Sequence, residues 1–283
     1  MFDRLSRSWE LVKASWSVLR DDRELLVFPL ISSVAMLAVL ACFALPMIGI
    51  VGFDGMARAA KGNATITQYS IGFLFYVVQY FVAFYFNAAL VGAAMIRLGG
   101  GNPTVSDGLG IANSKLGAIL GYAVIAATVG MVLRAIQERV GFVGKIIVGL
   151  LGVGWSLATF LVVPVLVARD VGPVEAVRES ALLLKRTWGE NVIGQGGIGL
   201  AFGLIQLAIM ATGIAIIVAA AMTKLLALVV IAIAALVIAV LVAMLVHAAL
   251  SGIYSAALYR FATTNDGSAG FSSDTLRLAF KPK

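Results

Sequence analysis

Six uninterrupted apolar runs free of Asp, Glu, Lys and Arg fill most of the chain, at positions 25–53, 71–96, 116–133, 146–168, 191–223 and 225–259. A helix needs roughly 17–25 apolar residues to cross a hydrocarbon core about 30 Å thick, and every run meets that length. With no water in the core, the backbone must bond to itself, which leaves helices or closed barrels. Barrel strands would alternate apolar and polar residues over about 10 positions, and these runs do not alternate. The predicted fold is therefore all-α, with six transmembrane helices in a single integral membrane domain over 1–283. Composition excludes a soluble fold: 61% of the 283 residues are hydrophobic and 12% charged, against about 25% charged in ordinary soluble domains.

The net charge of +7 could point to nucleic acid. The cations, however, sit in the short connections between apolar runs. Six spans sort 15 of the 21 Lys and Arg residues to one side and leave six (Arg58, Lys61, Arg134, Arg139, Lys145 and Lys224) on the other. The richer side is expected in the cytoplasm, with both termini on it. The partner implied is the lipid bilayer and not a nucleic acid. The charged amphipathic start does not fit a cleavable secretory signal, so span one is expected to direct insertion. Cys42 is the only cysteine, which excludes an intrachain disulfide or a thiolate cluster and reads as a small apolar residue.

The connections on the basic side carry their own pattern. Phe2, Leu5, Trp9, Val12, Trp16 and Leu19 recur at spacings of three and four. They define one apolar helical face with Arg4, Arg7, Lys13 and Arg20 largely off it, the signature of an interfacial helix. Thr104 with Asp107 has capping-box spacing ahead of a stripe of Val105, Leu109, Ala112 and Leu116. Pro173 opens a third such helix, with Val174, Val177, Ala181, Leu184 and Trp188 as its apolar face. Trp9, Trp16 and Trp188 are the expected interfacial anchors. The chain thus reads as three units of cytoplasmic-side amphipathic helix plus two-span hairpin, over 1–98, 99–170 and 171–263, with a tail over 264–283. Ser8, Leu11, Lys13 and Trp16 recur as Ser180, Leu183, Lys185 and Trp188 at a constant offset of 172. Gly117 with Gly121, Gly199 with Gly203, and Gly149, Gly152 and Gly154 are expected to let helices approach one another.

The opening RSWELVKASWSVLRDDRELLVFP, the central EAVRESALLLKRTWGEN and the closing YRFATTNDGSAGFSSDTLRLAF together resemble a prokaryotic family of integral membrane proteins classified only as a domain of unknown function. That resemblance covers nearly the whole chain and implies a six-span membrane protein. The central motif also resembles membrane domains that accompany glycerophosphodiester phosphodiesterases. No soluble catalytic domain follows the spans, so that activity is not expected, and no catalytic residue is carried over.

Chemistry-bearing side chains are few. With one histidine and one cysteine, and no acidic residue within the runs, neither a metal site nor a cofactor is expected. No GxxxxGK[ST] phosphate loop is present. Gly154-Trp155-Ser156 with His247 resembles in part the Gly-x-Ser and histidine pair of intramembrane serine proteases, although Leu157 stands where glycine is expected. Gln206, Asn87 and His247 are the candidate ligand-binding or path-lining residues. Gln79, Asn87 and Gln206 otherwise read as hydrogen-bonding glue between helices. The expected function is a non-enzymatic scaffold or organiser that engages anionic lipid or another membrane protein through its amphipathic helices, with homo-oligomerisation as a further option. The alternative is a permease or channel for a small molecule or lipid.

Overall fold

Apolar runs that must satisfy their own backbone do so here as helices. The computed structural model describes residues 2–60, 65–188 and 196–264. Its elements are α1 (Phe2–Asp21), a 3-10 turn η1 (Arg23–Leu26), α2 (Val27–Ala60), α3 (Ile66–Leu98), α4 (Val105–Ser114) and α5 (Leu116–Arg139). They continue with α6 (Phe142–Ala158), α7 (Val162–Ala168), α8 (Pro173–Trp188), α9 (Gly196–Met222) and α10 (Leu226–Thr264). All regular structure among the described residues is helical. Six helical segments are long and apolar enough to cross a membrane, with α6 and α7 together forming the fourth, Phe142–Ala168. In α2 the helix runs through Pro46 and turns at Gly52, whose φ of 68° is the left-handed conformation that glycine adopts without strain.

Span four is a broken helix and not one continuous run. The backbone leaves α-helical hydrogen bonding over Thr159–Leu161, where Phe160 N–H donates to the Leu157 carbonyl and Val162 N–H to the Thr159 carbonyl. The cause is Pro164: its ring clashes with the carbonyl four residues back, and it has no N–H to donate there.

The chain forms two compact units. One comprises 1–26, 94–102 and 187–283, and the other 27–93 and 103–186. In the first, α1 packs on both α9 and α10. In the second, α4 lies on α2 and α3, and α8 on α5 to α7. Each amphipathic helix therefore seats on the hairpin that precedes it in the sequence, and α1, with none before it, seats on the last.

Those seats explain where burial concentrates. α3 has 33 residues and α10 has 39, so at about 1.5 Å per residue both outrun a core of about 30 Å. The surplus at their C-terminal ends is buried on all sides: Ala88–Ala94 in α3 and Ala249–Leu258 in α10, apart from the partly exposed Ser251. Leu161–Leu166 at the start of α7 is enclosed in the same way. Small residues make this possible, because Ala and Gly let an amphipathic helix approach the backbone itself.

The glycines that serve close packing differ from those expected. A Cβ on Gly117, Gly203, Gly149, Gly152 or Gly154 would meet nothing within 4 Å, and Gly199 lies outside the residues whose side-chain surroundings are described. Gly121 does pack, since a Cβ there would lie 2.7 Å from Pro173. Close approaches to a side chain of another helix fall at Gly213, against Leu236, at Gly108, where a Cβ would lie 2.5 Å from Phe28, and at Gly92, 3.0 Å from Ile111. The aromatics of span two pack between helices: Phe75 lies edge-on to Phe43 of α2 at 5.4 Å, and Phe84 stacks on Tyr122 of α5 at 4.4 Å.

Candidate functional site

The seat of α8 shows how a local sequence choice fixes a helix against a broken span. The break leaves Leu161 N–H without the Leu157 carbonyl, its usual acceptor. Ser180 Oγ accepts from Leu161 N–H at 3.0 Å and donates to the Ala158 carbonyl at 2.7 Å. Ser180 is fully buried between Ala176 and Leu184 on successive turns. The buried stripe of α8 is thus Ala176, Ser180 and Leu184, whereas Val174, placed on the apolar face by periodicity, is exposed. Ion pairing closes the seat: Arg169 pairs with Glu179 of α8. Beside it, Lys115 Nζ donates to the Arg169 carbonyl at 3.0 Å and to Asp170 at 3.2 Å.

α4 is held differently. Thr104 and Asp107 form the expected capping box, with Asp107 N–H donating to Thr104 Oγ1 and Thr104 N–H to the Asp107 carboxylate. The backbone and then the side-chain hydrogen bonds from Thr104 hold that carboxyl below its ordinary range. The helix rests on Gly108 against Phe28 and the Ala89 carbonyl, on Ile111 against Gly92, and on Tyr85, whose hydroxyl donates to Asn113 at 2.8 Å.

α1 buries Val12, Ser15, Val18 and Leu19, while Trp16 is 49% exposed at the edge of that stripe. Asp22 follows, also buried. Desolvation raises its carboxyl, against the opposing pull of Arg97. Arg97 also lies 4.0 Å from Asp21.

Seating α1 and α8 this way sorts their remaining side chains. Lys13, Trp16 and Arg20 lie at helical spacing on the open side of α1, and Arg178, Leu182 and Lys185 on that of α8. At the offset of 172, Val12 and Leu184 are both buried and Lys13 and Lys185 both exposed. Trp9 and Trp188 lie in α1 and α8 themselves, but their side chains fall outside the described residues.

The remaining candidates divide between the two units. His247 of α10 stacks on Phe202 of α9 at 4.8 Å. Gln206 lies one turn beyond Phe202, so Gln206 and His247 share the α9–α10 pair, both half-buried. Asn87 is half-buried in α3, within the other unit. Gln79 Nε2 donates across helices to the Met36 carbonyl at 3.2 Å. Ser156 donates to the Gly152 carbonyl of its own helix at 3.0 Å. Sequence reasoning passed over Ser180 and Gly108, since neither a serine in an amphipathic helix nor a lone glycine stands out without its neighbours.

No curated protein matches the chain, and no solved structure does. Residues 66–271 match a family of unknown function, DUF6159. That stretch takes in five of the six spans together with α4 and α8, so this multi-pass helical chain belongs to the DUF6159 family.

Proposed function

We propose that the chain is a non-enzymatic scaffold of a prokaryotic inner membrane that gathers anionic lipid in the cytoplasmic leaflet through the open faces of α1 and α8. One observation carries this reading: each helix spends its buried stripe on its own hairpin, leaving Lys13, Trp16 and Arg20, and Arg178, Leu182 and Lys185, free for something else. A cationic face with an apolar residue between the charges suits an anionic headgroup layer. The 15-to-6 division of basic residues supports a cytoplasmic position for both helices.

A permease is the second reading, favoured by the break in span four, since discontinuous helices line substrate sites in transporters. Both are tested on the full chain in liposomes that carry photoactivatable phosphatidylglycerol or phosphatidylcholine. Crosslinks on residues 12–20 and 174–185 are expected to favour phosphatidylglycerol. Trp16→Glu is expected to reduce them by about tenfold, and Lys13→Gln or Lys185→Gln by roughly fivefold, from about 1 kcal/mol per cation. Equal labelling by the two lipids removes the scaffold reading. Solute flux abolished by Gln206→Leu establishes the permease in its place.

A further inference from the structure

A second cluster lies at the end of α3 and α5 away from α4 and α8. Between α3 and α5 is a cavity of about 80 Å³ lined by Tyr76, Tyr80, Ala127, Gly130, Met131 and Arg134. Arg134 Nη1 donates to the Tyr76 hydroxyl at 2.9 Å, and Arg134 Nε donates to Glu138 at 3.0 Å. A guanidinium carries five N–H groups, so three have no acceptor among the described residues. The Tyr76 hydroxyl, accepting from Arg134, keeps its own proton to donate. The Tyr80 hydroxyl lies 3.5 Å from where a Gly130 Cβ would stand, so glycine at that position keeps the space open. Free donors thus meet at a cavity otherwise lined by Ala127, Gly130 and Met131. Among the described residues Glu138 is the one carboxylate paired with Arg134; it takes Nε and does not itself line the cavity.

Depth identifies what could fill it. Arg134 follows Lys115 by 19 residues and Tyr76 precedes Arg97 by 21, or about 28 and 31 Å at a helical rise of about 1.5 Å. Both therefore reach the far edge of a core about 30 Å thick. The Arg134 side chain is 66% exposed there, at the level where lipid phosphates lie. Arginine's planar fork matches a phosphate by two parallel hydrogen bonds.

The geometry points to a phosphate-binding site formed by Arg134, Tyr76 and Tyr80, at the end of the spans away from α4 and α8. The phosphate is supplied either by a phospholipid headgroup or by free phosphate. The test is crosslinking of photoactivatable phosphatidylglycerol to the full chain, mapped to residues 74–81 and 127–136, with unlabelled competitors. Phosphatidylglycerol is expected to compete and diacylglycerol, with the same chains but no phosphate, is not. Arg134→Gln is expected to lose about tenfold in yield and Arg134→Lys, which keeps charge without the fork, about threefold. Gly130→Leu fills the cavity with Arg134 intact and is expected to lose as much as Arg134→Gln, which separates a filled site from a misfolded variant. Displacement by millimolar inorganic phosphate assigns free phosphate as ligand, and failure to displace assigns the lipid. Wild-type yield in both Arg134→Gln and Gly130→Leu, or competition by diacylglycerol equal to that by phosphatidylglycerol, overturns the site.

Discussion

Gly108→Ala is expected to destabilise the protein by about 1–3 kcal/mol, the usual cost of overpacking a tight interior, measured by unfolding in mixed SDS micelles. The added Cβ would lie 2.5 Å from Phe28 Cζ and 2.6 Å from the Ala89 carbonyl. Neither neighbour can give way cheaply. Phe28 is 1% exposed and hemmed in, and Ala89 contributes backbone inside α3. Relief requires α4 to lift from its seat, so amide exchange in α4 should quicken in the same variant. Gly92→Ala meets only the Ile111 side chain, at 3.0 Å. Its cost should therefore be smaller and should be partly recovered in a Gly92→Ala, Ile111→Ala double variant. The contrast is Gly149→Ala: nothing stands within 4 Å of the new methyl, and replacing glycine in a helix by alanine contributes up to about 1 kcal/mol of stability.

Ser180→Ala is expected to cost about 1–3 kcal/mol, because a buried donor is left with no acceptor. Leu161 N–H loses Ser180 Oγ, and the Ala158 carbonyl loses its extra donor. Leu161 is 1% exposed, so water has no ready route to replace the hydroxyl. Faster exchange of the Leu161 amide distinguishes this cause from a general loosening. Ser156→Ala serves as control. Its hydroxyl is exposed and bonds only within its own helix, so a change within about 0.5 kcal/mol is expected. An equal loss in both variants would show that Ser180 does not hold the break.

Much of this was legible in the sequence because lipid imposes few options. The six apolar runs, the Thr104 and Asp107 capping box and the existence of helices α1, α4 and α8 follow from local rules of length and periodicity. The seating of those helices does not. In α8 two neighbouring faces are apolar enough to be buried, and the choice of Ala176–Ser180–Leu184 over the face carrying Val174 depends on a break in another helix. One signal was present. Asn87-Ala88-Ala89-Leu90-Val91-Gly92 recurs as His247-Ala248-Ala249-Leu250-Ser251-Gly252, and each copy opens one of the buried ends on which an amphipathic helix sits. Two candidate site residues, Asn87 and His247, therefore occupy equivalent positions ahead of those ends. The pairing of Arg134 with Tyr76, 58 residues apart, leaves no local trace, because it arises from α3 lying beside α5.

Alternate connections are expected to lie on opposite faces of a bilayer, with the basic ones together. Single cysteines at Asn102, Gln137 and Asp170, all exposed, introduced with Cys42→Ser and probed with a membrane-impermeant maleimide on intact spheroplasts, test this arrangement most directly. Labelling is expected at position 137 alone before permeabilisation, and at 102 and 170 only afterwards. Labelling of 137 and 170 from the same side would contradict it.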